Sequence, residues 1–145
     1  MSTSQRPPYG STVTTAQKIL IVSGAITILY GMVLGVPLAG IRGKQPVAPR
    51  ALVNAHLAAL IQGAVQLGLA VAVGFADLTP WVATTGAILL AAGSLLETSG
   101  GTMNWRQGVT DQFAERSLGW RLNSASGPIS IVGAAIVAVG TILAL

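Results

Sequence analysis

Apolar residues in this chain run in long unbroken blocks, without the alternation of a half-buried strand or the single stripe of a soluble amphipathic helix. Charged residues mark where the blocks end. Blocks of roughly 20 residues are long enough for a helix to cross a ~30 Å hydrocarbon layer. The pattern predicts four such helices, at about 16–38, 51–74, 80–97 and 126–145. Lys18 falls in the first turn of the first span, where a long cation snorkels to the headgroups.

The connecting segments agree with this division. Residues 2 to 15 are rich in Ser, Thr and Pro and lack apolar periodicity, so 1–15 reads as a disordered tail, with Thr14 or Thr15 capping the first helix. The connector GFADLTPW is short enough to force spans two and three antiparallel, and Pro80 suits a helix start. Within 102–122, Trp105, Val109 and Phe113 recur at i, i+4 and i+8, which predicts a short helix lying in the membrane interface. Residues 16–145 therefore form one all-α domain, an integral membrane four-helix bundle.

Composition turns this pattern into an exclusion. With 52% hydrophobic and 8% charged residues and a mean hydropathy of +0.69, the chain cannot cover the surface of a water-soluble domain, whose charged fraction is about one quarter. Eight Lys and Arg give a net charge of +4, but they are divided among short connectors and form no basic stripe, so nucleic acid is excluded as a partner. The absence of Cys excludes disulfides, zinc–thiolate sites, iron–sulfur clusters, a thiol nucleophile and covalently attached haem. Any cofactor is non-covalent or held by His.

The cations also orient the bundle. Connector 39–50 carries Arg42, Lys44 and Arg50, and connector 100–122 carries Arg106, Arg116 and Arg121, whereas the opposite side has Arg6 and Lys18. The positive-inside rule places these two connectors in the cytoplasm and both termini outside it, in a multi-pass protein of the cell membrane. Trp81 on one side, and Trp105 and Trp120 on the other, fit interfacial belts. VPLAG loosely resembles a signal-peptide cleavage site, but the apolar run before it is too long for one. Eighteen glycines permit close helix packing, with Gly31-x-x-x-Gly35 the tidiest pair.

Polar side chains within spans are costly and therefore mark candidate sites. His56, the only histidine, shares a helical face with Ala59 and Gly63, so an imidazole stands beside a flat small-residue strip suited to a planar macrocycle. The other reading of His56 is an interfacial residue bonded to a neighbouring carbonyl. Gln62 and Gln66 form a second polar face, suited to bridging helices by hydrogen bonds. Glu97 is either a boundary carboxylate or a charge turned into the bundle near Ser94, Thr98 and Ser99. A single His excludes bis-histidine haem within one protomer, leaving one protein ligand and an open position, or Met32 as a weaker partner. No Ser-His-Asp set, Walker loop or dinucleotide fingerprint is present.

Asn54-Ala55-His56 entering a small-residue helix, Gln62-Gly63, the exit Gly74-Phe75-Ala76-Asp77 and two further spans together resemble the styrene oxide isomerase family, over about residues 50 to 145. The resemblance implies a homotrimer binding haem b, with His56 as the iron ligand and Gln62 orienting the substrate oxygen; the face shared by His56, Ala59 and Gly63 is then the cofactor's, and Glu97 or Thr98 is the catalytic candidate for the family's third-span tyrosine. It implies a small hydrophobic epoxide as substrate, ferric haem as Lewis acid, a 1,2-hydride shift and a carbonyl product. Gln62 stands where the family has an asparagine, and the stretch Leu95 to Met103 has no counterpart of the family's third-span tyrosine. Two readings of other classes remain: a non-catalytic haem protein serving as sensor, gas binder or store, and a structural accessory subunit of a membrane assembly.

Overall fold

In the computed structural model, which describes residues 13–145, the chain forms helices α1 (Thr15–Arg42), α2 (Arg50–Val73), α3 (Pro80–Arg106), α4 (Gln112–Glu115) and α5 (Leu118–Leu143). All but α4 are long and apolar enough to cross a membrane. The protein is an all-α four-span bundle. Tail residues 1–12 lie outside the described residues. Thr14 caps α1 as expected, in a reciprocal capping box with Gln17.

Four features differ from the sequence pattern. Helix α1 continues through Pro37 to Arg42, four residues past the expected end at 38. Helix α3 runs nine residues past Glu97 to Arg106, since its polar groups are satisfied without leaving the helix. Thr98 and Thr102 return their hydroxyls to the carbonyls of Ser94 and Thr98, each at 2.8 Å, and Glu97 finds a partner on α2. Helix α5 begins at Leu118, eight residues before 126, with Ser117 as its side-chain cap. The interfacial helix through Trp105, Val109 and Phe113 does not form: Trp105 belongs to α3, Gly108 at φ 67 breaks the helix, and only the single turn of α4 follows before Arg116 at φ 44.

Small residues spaced by seven set how the helices meet. On α3, Gly86, Gly93 and Gly100 face Gly133, Ser126 and Gly119 of antiparallel α5. A Cβ at Gly133 would stand 2.8 Å from the Gly86 carbonyl oxygen, so these backbones touch. The α1–α2 pair uses the same register. Gly24 meets Gly63, where added Cβ atoms would lie 2.9 and 2.7 Å from the opposite carbonyl oxygens. One heptad along, Gly31 meets His56. Such contacts give dispersion and backbone proximity in a solvent that supplies no hydrophobic drive between helices.

Six of the seven cations among the described residues gather at one end of the bundle, where α1 and α3 finish and α2 and α5 begin. Trp81 and Trp105 sit near opposite ends of α3, 24 positions or roughly 36 Å apart. That separation suits two interfacial belts.

Candidate functional site

His56 occupies the α1–α2 seam and is half-buried. Its Nδ1 lies 2.7 Å from the Gly31 carbonyl oxygen. A carbonyl only accepts, so Nδ1 carries the proton and the lone pair of the neutral ring is at Nε2. Nε2 has no hydrogen-bond partner among the described residues and is not sealed inside the fold. The ring edge rests on Gly35, where a Cβ would come within 3.2 Å of Cε1. Gly31 and Gly35 thus act together: one carbonyl fixes the tautomer and one missing side chain admits the ring.

The strip of Ala59 and Gly63 is not open to a cofactor, contrary to the expectation from helical spacing. Ala59 is fully buried, and a Cβ on Gly31 would stand 3.1 Å from its own Cβ. A Cβ on Gly63 would lie 2.9 Å from the Ile28 backbone nitrogen. Both residues serve the contact with α1, because small residues are what lets two helices approach there. The donor chemistry of His56 fits one axial position of a haem iron; the macrocycle cannot lie on Ala59 and Gly63.

Gln62 and Glu97 are brought together across the α2–α3 seam, where Gln62 Nε2 donates to Glu97 Oε2. The carboxylate therefore turns into the bundle and does not mark its boundary. Gln62 follows His56 by six residues, about 9 Å along the axis and roughly 120° around it. The two face different neighbours, α3 and α1, and the sequence-predicted set is split between two places.

A chain of hydrogen bonds continues from this pair. Ser94 Oγ donates to Gln62 Oε1 at 3.2 Å, Gln66 Nε2 donates to Ser94 Oγ at 2.6 Å, and Ser23 Oγ bonds Gln66 Oε1. Gln66 is completely buried and bridges α1, α2 and α3, as expected of a membrane glutamine. From Gln66 onward every donor points toward Glu97 and the chain ends on an acceptor, while the single Ser23 hydroxyl hydrogen is shared between Gln66 Oε1 and the Ile19 carbonyl at 2.6 Å.

Beside Glu97 and Gln62 lies a cavity of about 410 Å³ between α2, α3 and α5. Ala51, Ala55, Leu57, Ala58 and Ile61 give it an apolar wall, while Asn54, Asn104, Gln112 and Asn123 add carboxamides. Asn104 is tied to Gln112 at 3.0 Å and to Ser117 at 2.6 Å. Asn123 Oδ1 is buried without a partner among the described residues. These asparagines escaped notice in the sequence because they lay in what read as connector. Tyr30 lies on α1 and not on the third span, yet its hydroxyl meets Thr102 at 2.7 Å, within the third-span stretch that lacks its own tyrosine.

No protein-family model, curated protein or solved structure matches the chain. Among the described residues, no cluster of three or more His, Cys, Asp or Glu side chains is placed to hold a metal ion.

Proposed function

We propose that this protein is an integral membrane haem b protein of the styrene oxide isomerase kind, with His56 as its iron ligand, and that it rearranges a small hydrophobic epoxide to an aldehyde or ketone. The observation that carries the reading is the unpartnered Nε2 of His56: the bond from Nδ1 to the Gly31 carbonyl, which the interfacial reading of His56 also expects, leaves Nε2 without a partner among the described residues. Metal-ligating histidines usually donate their second N–H to a carbonyl or carboxylate, which fixes ring orientation and raises the basicity of the ligating nitrogen. Haem held by His56 would supply a Lewis acid for an epoxide oxygen.

The chain's own residues contribute binding and exclusion of water. Gly31 holds the imidazole in the Nδ1–H tautomer, and Gly35 leaves space for the ring. Exposed Met32 and Val36 on neighbouring turns of α1 keep that region apolar and poor in water. Because Ala59 and Gly63 are covered by α1, they position His56 by fixing the seam and do not touch the cofactor. Homotrimer assembly and cytoplasmic placement of the Arg-bearing connectors belong to the same reading.

A second reading is favoured by one observation. Gln62 and Glu97 are engaged with each other and turned away from His56, leaving no protomer-internal group shown to orient a substrate at the iron. A non-catalytic haem protein, sensing or storing, fits that separation. Incubating haem-loaded protein with styrene oxide distinguishes the two: phenylacetaldehyde is the expected product, and its absence across aryl and alkyl epoxides would retire the isomerase while leaving the haem protein.

A further inference from the structure

The cavity between α2, α3 and α5 is unused by the haem reading, and its unmet polar group is a carboxylate oxygen. Glu97 Oε2 accepts from Gln62, but Oε1 has no partner among the described residues and is not buried away from the cavity. Asn123 Oδ1 also lacks a donor but is packed against Gly100 of α3, so the free acceptor of the cavity is Glu97 Oε1. No Lys, Arg or His lines the cavity, so a carboxylate there lacks a protein cation. Glu97 sits four residues from the middle of α3, about 6 Å along its axis, at a depth where an unpaired charge is costly.

These features specify a guest. It must bring positive charge and hydrogen-bond donors to one end and apolar surface to the other, where Ala51, Ala55, Leu57, Ala58 and Ile61 form the wall. A bare metal ion suits the site poorly, since about 410 Å³ is far more than its coordination shell occupies and only one carboxylate is present. Along α3 the cavity is lined by Glu97, Gly101 and Asn104, with Gly101 packed on Ala55 and Asn104 tied to Gln112 and Ser117. The hydrogen-bond chain from Ser23 through Gln66, Ser94 and Gln62 holds Oε2 and leaves Oε1 toward the cavity.

We propose that this cavity binds a small organic ammonium ion, its N–H groups donating to Glu97 Oε1 and its hydrocarbon body lying against the α2 wall. The site stands apart from His56 and does not depend on the haem reading.

The test titrates full-length protein in detergent with 2-phenylethylammonium by calorimetry, with 2-phenylethanol as the neutral match and sodium and calcium chloride as competitors. The expected result is saturable ammonium binding, none for the alcohol and no competition by either metal ion. Glu97→Gln weakens binding by about tenfold or more. Ala58→Phe fills the cavity without altering charge and does the same, which keeps the test decisive if Glu97→Gln fails to fold. His56→Ala binds as the parent does. Equal binding of alcohol and ammonium, no ammonium binding, displacement by sodium or calcium, or undiminished affinity in either cavity variant would overturn the proposal.

Discussion

Gly31 and His56 face each other one heptad from the Gly24–Gly63 contact, so a histidine stands where the α1–α2 register otherwise brings two glycines together. The imidazole is accommodated because Gly35 has no side chain, and it is held because the Gly31 carbonyl accepts from Nδ1. A seam built for backbone contact thereby carries a titratable ring with one nitrogen fixed and the other open.

Gly35→Ala tests that arrangement without deleting the ligand. Its Cβ would come within 3.2 Å of His56 Cε1, forcing the ring to shift by a few tenths of an ångström. In haem-loaded protein the expected outcome is a displaced Soret maximum and altered electron paramagnetic resonance g-values, with the fold retained. Spectra identical to the parent's would show that the iron does not sense this ring.

The glycine register makes a contrasting pair of stability predictions. Gly119→Ala drives a Cβ into the Gly100 carbonyl and the Asn104 carboxamide, and is expected to destabilise the bundle by about 1–3 kcal/mol. Gly68→Ala and Gly127→Ala meet nothing within 4 Å and should be neutral or stabilise by about 0.5–1 kcal/mol. Unfolding by sodium dodecyl sulfate in mixed micelles, followed by tryptophan fluorescence, reads both.

Gln66 joins Ser23 and Ser94 from a fully buried position. Gln66→Ala loses two interhelical hydrogen bonds, worth about 0.6 kcal/mol each in a membrane, and leaves a cavity, so a loss of about 2 kcal/mol is expected. Gln66→Met keeps most of the volume and should cost less. Equal losses in the two variants would mean that the hydrogen bonds, and not the packing, account for the effect there.

Orientation is open to cysteine labelling because the chain contains no Cys. Ala114→Cys, in the exposed turn of α4, is expected to react with a membrane-impermeant maleimide only from the cytoplasmic side. Leu145→Cys should react only from the other side. The opposite pattern would invert the topology.

The number of spans and their approximate places were legible in the sequence, because long apolar runs between charges leave few alternatives in a bilayer. The end of α3 was not. Glu97 reads as a boundary to any rule that counts charge, and only the position of Gln62 on a neighbouring helix shows that its carboxylate has a partner inside. The seven-residue spacing of Gly86, Gly93 and Gly100, and of Gly119, Ser126, Gly133 and Gly140, was present in the chain. Which helix met which was not, and so neither was the fate of Ala59 and Gly63. His56 could be singled out by its rarity, whereas its partner is a backbone carbonyl that residue identities do not reveal.

The most direct measurement is the visible absorption spectrum of the detergent-purified protein, expressed with abundant haem, beside that of His56→Ala. The account predicts a Soret band in the parent that is lost in the variant, with helical circular dichroism unchanged. A colourless parent, or a band that survives the substitution unaltered, would contradict it.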